Sequence, residues 1–335
     1  MKRVPTLDGW RGIAILLVLV THYQEAFVQH PFARFRWMDL GKHGVTIFLV
    51  LSGYLITSRL LEEKKINLRH FYLRRSLRLM PNAWTYLLFI GALSLVTRAQ
   101  IVGRDALACV FFFRNYYSVV QTSANTLTGH FWSLSLEEQF YLVWPPLLAL
   151  AGRRWGLGLA AAGAAACAAF RFFHWSQYDG APISVHSEVR ADALFVGCAL
   201  ALLLEYDSIR AWFAQHGKKI FWICVAPLVM EIYLYRDLIP LTESMLIAAM
   251  IASTSLSPTQ LPATVLEWQH LKLTGMISYS IYVWQGVFLR PHWGHFGFLL
   301  LGASALGSWM FIEQPCIRLG RALLRDHRWP GRRRK

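Results

Sequence analysis

The 335-residue chain is 55% hydrophobic and only 16% charged, with a formal net charge of +15. Soluble domains carry roughly 25% charged residues, so this composition excludes a soluble protein and implies one that crosses a membrane many times. The apolar runs have helix length, not the roughly ten-residue alternation of an outer-membrane barrel, so the expected fold class is all-α.

In chain order, Met1 to Asp8 is too short for a cleavable leader with its own apolar region, so the first helix is expected to remain in the mature protein. Apolar runs of spanning length follow at 11–28, 43–61, 82–97, 131–150, 155–173, 191–205, 220–235, 241–256, 274–290 and 296–313, which makes ten transmembrane helices. The segment 105–120 has an apolar core, Ala106 to Phe113, that would cover only about 12 Å as a helix. It is expected to be re-entrant or to pack at the outer surface. With ten spans, both termini are cytoplasmic, and the inner side then holds the basic stretches at 62–80, Arg153 and Arg154, 206–219 and the tail. The domain reading is one membrane domain over 1–313 with a basic cytoplasmic tail, 314–335. The positive charge is accounted for by inner loops and anionic lipid, so no nucleic-acid partner is expected.

Arg11 and His22 lie on the first helix about 20° apart around its axis and roughly 16 Å apart along it. Ionisable groups are costly in hydrocarbon, and two on one stripe line a cavity or pathway. The plainer alternative is a snorkelling Arg and a His satisfied by a neighbouring helix. The stretch KKINLRHFYLRRSLRLMP reads as a short interfacial helix ending before Pro81, with Arg74 and Arg78 one turn apart and Arg75 beside them. Such forked donors suit phosphate, although any inner loop is expected to be basic. In HFWSLSLEEQFYLVWP, Glu137 and Glu138 point about 100° apart, so at most one is expected to face a given cavity. Ser135 with Glu138 also fits a capping box, whereas a carboxylate near His22 would orient its imidazole. The outer loop 174–197, rich in Trp, Tyr, His, Glu, Arg and Asp, suits a sugar-binding surface, yet aromatic residues are expected at any membrane interface. Cys109, Cys167, Cys198, Cys224 and Cys316 are scattered without metal-ligand spacing and read as small core residues, so no metal is expected.

Seven motifs in order, LDGWRGIAILLVLVTHY, GVTIFLVLSGYLIT, RRSLRLMP, WSLSLEEQFYLVWP, RADALFVGCALAL, ISYSIYVWQ and FIEQP, resemble the membrane acyltransferase-3 family over nearly the whole chain. The resemblance implies a ten-helix enzyme of the bacterial inner membrane. It would move an acyl group, usually acetyl, from cytoplasmic acyl-coenzyme A to a hydroxyl of a cell-envelope or exported carbohydrate or a lipid-linked sugar. Arg11 and His22 match the family's Arg/Lys-x10-His pair, Arg75 and Arg78 its coenzyme A element, and Glu138 the acidic position of WSLSxEEQFY. Thr46 stands where the family often has Asp, and Gln285 where a His commonly ends SYSxYLWH. The basic stretch after residue 313 is read as a tail, so no soluble SGNH-type hydrolase domain is expected there.

On this reading His22 is the general base, with Arg11 and Glu138 completing the catalytic set. Arg74, Arg75 and Arg78 hold the donor's phosphates, Trp132, Glu137, Arg190 and Asp192 bind substrate, and a donor such as Arg190 or Trp132 stabilises the oxyanion. A covalent acyl-His22 intermediate is the mechanistic alternative. Two other functions stay open: a small-molecule O-acyltransferase at the inner face, and a saccharide transporter or flippase. Expected partners are acyl-coenzyme A, a carbohydrate acceptor and membrane lipids, with homo-oligomerisation open.

Overall fold

The computed structural model of the chain describes residues 4–27, 31, 35, 38–63, 65–97, 103–117, 127–174, 182–234, 240–258 and 261–326, and every regular element among them is helical. These are α1 (Pro5–Ala26), α2 (Leu40–Glu62), α3 (Leu68–Val96), α4 (Gly103–Val110), α5 (Phe131–Phe173), α6 (Asp192–Leu203) and α7 (Asp207–Leu234), followed by α8 (Pro240–Leu256), α9 (Leu261–Leu266), α10 (Gln269–Met276), α11 (Ser278–Phe288), α12 (Phe296–Ser308) and α13 (Gln314–Asp326). Four stretches are long and apolar enough to cross a membrane: α2, α3, α5 and the continuous run Phe296–Leu324.

Local chemistry sets the boundaries. Pro5 occupies the first turn of α1, where a missing N–H costs nothing. Asn67 caps α3 by accepting from the His70 amide at 3.0 Å. Within α5, Gly152 has φ 65° and ψ −178°, which only glycine adopts without strain, and this breaks the element into two helices. Arg153, next to the break, donates to Glu205 at 2.8 Å and to the Leu61 carbonyl, tying the ends of α2 and α6 to the α5 break. The opposite end of α2 carries His43, which donates to Glu243 at the start of α8 at 2.8 Å.

Helix α1 packs on α2, α8, α9, α10 and α11. Small residues allow the tightest crossings. At Gly53 of α2 a Cβ would overlap the Leu194 carbonyl of α6, and at Gly197 of α6 one would overlap the Val50 carbonyl. Gly197→Val should therefore destabilise the protein by about 1–3 kcal/mol through overpacking. A thermal midpoint in detergent equal to wild type would remove this crossing from the account of stability.

Three sequence expectations are corrected. The basic segment does not end before Pro81: α3 runs through it to Val96, and Thr85 donates its hydroxyl to the Pro81 carbonyl at 2.8 Å. In hydrocarbon an interrupted backbone is more costly than one lost hydrogen bond, so the helix continues. The capping box is not made, because α5 begins at Phe131 and the Ser135 hydroxyl accepts from the Arg114 amide at 3.1 Å. The Glu137 and Glu138 side chains do not diverge, as described below. Of the segment 105–120, the part through 117 is described. It comprises most of the eight-residue α4, about 12 Å long, and a turn. There Arg114, fully buried, reaches Asp105 at 3.4 Å and the Tyr117 carbonyl at 2.9 Å. Residues 175–181 of the outer loop and 327–335 of the tail lie outside the described residues.

Candidate active site

Polar chemistry gathers at two levels along α1. At one of them Arg75, on α3, meets both glutamates of α5: its Nη2 is 3.4 Å from Glu137 Oε2 and its Nε 3.7 Å from Glu138 Oε1. Glutamate side chains are long enough that a guanidinium between two adjacent ones reaches both. The Arg75 guanidinium also stacks 3.7 Å above the Tyr141 ring, and Tyr141 donates its hydroxyl to Glu137 at 2.7 Å. Arg11 joins the cluster from α1. It lies 4.0 Å from Asp8 and within electrostatic reach of Arg75, Glu137 and Tyr141.

Arg78, one turn beyond Arg75 on α3, feels the charges of Arg11, Arg75 and Glu313. Among the described residues its Nε has no hydrogen-bond partner. Glu313 is delivered by a π-helical turn, Trp309–Glu313, an irregularity common at functional sites. It accepts from the Ser280 hydroxyl at 3.1 Å, and Ser280 in turn accepts from the Asn82 side chain at 2.9 Å. Three helices thus hold one half-buried guanidinium cluster, and the Nε of its third member has no partner among the described residues.

About 16 Å along α1 from Arg11, His22 Nδ1 donates to Glu25 Oε2 at 3.0 Å. The two side chains are 38% and 57% exposed, which leaves the pair open to a substrate. With its proton on Nδ1, a neutral imidazole carries its lone pair on Nε2, the arrangement of a base with its orienting carboxylate. A second histidine, His130, sits just before α5 within electrostatic reach of His22. Its Nε2 donates to the Val283 carbonyl at 3.0 Å, and its own carbonyl accepts from the Tyr282 hydroxyl at 2.9 Å. Burial, helped by the His22 charge, holds His130 down to about 3, so it stays neutral at any working pH and does not shape a pH profile there.

The structure brings Arg11, Arg75, Arg78, Glu137 and Glu138 together and sets His22 apart from them along α1. Glu138 pairs with Arg75, and the carboxylate beside His22 is Glu25. Arg74 points away to Glu63 at 2.8 Å. Asp192 is locked in a buried ion pair with Arg171 at 2.6 Å, and Arg190 donates to the Thr46 hydroxyl at 3.3 Å. Trp132 is half-buried against the core. Sequence reasoning assigned no role to Glu25, Tyr141, Glu313 or His130. Of these, Glu25 carried a signal, since His22 and Glu25 stand three apart on one helix.

Among the described residues no group of three or more His, Cys, Asp or Glu side chains is arranged to hold a metal. The residue set is suited to gripping an anion with guanidinium groups at one level and removing a proton at another.

A model of the acyltransferase domain matches residues 4–312. The chain is 28% identical to the putative peptidoglycan O-acetyltransferase YrhL of Bacillus subtilis, over 84% of this chain and 48% of that protein. It is 28% identical to the peptidoglycan O-acetyltransferase OatA of Listeria monocytogenes, over 84% of this chain and 49% of that one. With the O-acetyltransferase OatA of Staphylococcus aureus it shares 25% identity over 95% of this chain and 58% of the relative. The chain therefore spans about half the length of the first curated relatives it matches. No solved structure matches it.

Proposed function

Because the chain belongs to the acyltransferase-3 family, matched from residue 4 to residue 312, we propose that it moves an acetyl group from acetyl-coenzyme A to a hydroxyl of a cell-envelope carbohydrate. The observation that carries this reading is the pairing of two levels on α1. One is a guanidinium cluster in which Arg78 Nε has no partner among the described residues; the other, an extended pantetheine arm away, is an accessible His–Glu pair.

Arg11, Arg75 and Arg78 hold the donor's phosphates, and the pantetheine arm lies along α1. His22 Nε2 takes the proton of the acceptor hydroxyl as its oxygen attacks the thioester carbonyl. The C–S bond breaks, and the coenzyme A thiolate leaves and takes up the proton that His22 releases. Glu25 keeps the imidazole in the productive tautomer and stabilises its protonated form. Glu137 and Glu138 position Arg75. The printed names of the relatives make peptidoglycan the first acceptor to test. The chain forms one membrane domain of ten spans in the bacterial inner membrane, with both termini and the tail cytoplasmic. That orientation sets the cluster toward the donor side and His22 toward the envelope.

The decisive experiment uses purified protein in nanodiscs with radiolabelled acetyl-coenzyme A and a panel of envelope glycans, peptidoglycan fragments included. Label appearing on a glycan hydroxyl is the expected result, and turnover restricted to soluble small alcohols would replace this reading with inner-face acylation. Orientation is tested separately with single cysteines at Tyr117, Ser184, Ser208 and Thr264 in a cysteine-free background. A membrane-impermeant maleimide on intact cells should label 117 and 184 and spare 208 and 264; the inverse pattern would place the His22 end in the cytoplasm.

A further inference from the structure

Gln285 on α11 is 1% exposed, and among the described residues neither its Nε2 nor its Oε1 has a hydrogen-bond partner. The polar groups of the three preceding residues are paired, whereas Arg290 Nη2, just beyond the helix, is also without a partner among the described residues. Trp284 Nε1 donates to Asn82 at 3.3 Å, the Val283 carbonyl accepts from His130, and Tyr282 lies 2.6 Å from the Ser133 hydroxyl. A buried amide with both its donor and its acceptor idle forfeits their hydration for nothing, and such groups are rare in folded proteins. Leucine or methionine would fill the same space without that cost.

The position of Gln285 says what the amide is kept for. Helix α11 packs on α1, and at Gly286, the next residue, a Cβ would lie 2.8 Å from the His130 ring. His130 is in turn within electrostatic reach of His22. Gln285 therefore lies between the two levels, with Gly286 beside His130 and Trp284 bonded to Asn82 of the Ser280–Glu313 network, along the span that donor arm and acceptor occupy in the function proposed above, on which this inference rests.

We propose that Gln285 is a specificity-determining substrate contact whose side chain pairs with a secondary amide: Nε2 donates to that amide's carbonyl, and Oε1 accepts from its N–H. A secondary amide is the common substrate group that presents one acceptor and one donor in the matching geometry. Two substrates can bring it. Pantetheine contains such amides in its arm, and an amino-sugar acceptor carries an acetamido group.

The test compares wild type with Gln285→Met, which keeps the volume, and Gln285→Leu. Acceptors are N-acetylated chito-oligosaccharides and the amide-free cello-oligosaccharides; donors are acetyl-coenzyme A and an amide-free acetyl thioester of a simple alkanethiol. The expected result is a rise of about 10-fold or more in KM for one amide-bearing substrate, with wild-type kinetics on its amide-free counterpart. A loss confined to chito-oligosaccharides assigns the contact to the acceptor, and one confined to acetyl-coenzyme A assigns it to the donor. The thermal midpoint of both variants should equal or exceed that of wild type, because an unsatisfied polar group has been removed. Equal losses on all substrates, unchanged kinetics, or a lower midpoint with no split between substrates would overturn the proposal.

Binding is also read without turnover, as the rise in midpoint caused by coenzyme A or chito-oligosaccharide. Wild type stabilised and Gln285→Met not stabilised supports the contact even if no acetyl transfer is seen. That combination would sink the acyltransferase reading alone.

Discussion

His22→Ala is expected to fold normally, to bind acyl-coenzyme A as wild type does, and to lose about 10²–10⁴-fold in turnover. The loss is confined to turnover because His22 lies about 16 Å along α1 from the guanidinium cluster and is 38% exposed, so its removal opens no core cavity. His22→Gln should be as impaired, since an amide cannot take the acceptor's proton. Glu25→Gln should cost less, about 10-fold or more, because it leaves the base in place and weakens only its orientation and the stabilisation of its charged form. Turnover by His22→Ala or His22→Gln within threefold of wild type would remove His22 from the mechanism. A Glu25→Gln enzyme indistinguishable from wild type would restrict the His22–Glu25 contact to a helix-surface ion pair.

Arg78→Ala is expected to raise KM for acetyl-coenzyme A by about 10–100-fold, the equivalent of one charge-assisted hydrogen bond to phosphate, with kcat little changed. Under the proposed function a phosphate completes this guanidinium, whose Nε has no hydrogen-bond partner among the described residues. Arg75→Ala combines the same loss with a structural one, because Glu137 and Glu138 both lean on Arg75. Arg74→Ala is the internal control: its side chain is spent on Glu63 at the surface and should leave KM within twofold of wild type. Lower membrane yield with unchanged kinetics for Arg78→Ala would return the cluster to the general basic bias of inner loops.

The contrast between Arg74 and its neighbours shows where the sequence stopped being legible. All three arginines sit in RRSLRLMP, and spacing alone makes Arg74 as good a phosphate ligand as Arg78. Only the packing of α3 against α11, α13 and the π-helical turn, with Arg75 reaching across to Glu137 of α5, turns Arg75 and Arg78 inward and leaves Arg74 facing Glu63. Pro81 misled for a related reason. Proline ends helices because it lacks an N–H and its ring crowds the preceding turn, but in hydrocarbon ending the helix would leave further backbone groups unpaired at greater cost. Glu137 and Glu138 misled because the directions of Cβ atoms were read as the directions of carboxylates. Two long side chains can converge on one guanidinium.

What the sequence determined by itself were the helical class and the Arg11 and His22 stripe, because hydropathy over spanning lengths and the 100° turn of the helix are local properties. The family was legible too, through motifs that keep their order along the chain. Only the tertiary structure decided that Asp192 is tied to Arg171, that a π-helical turn delivers Glu313 to the cluster, and that Gln285 is buried without a partner among the described residues. Each of these depends on contacts between helices distant in sequence, and a buried polar group's meaning lies in what it is, or is not, bonded to.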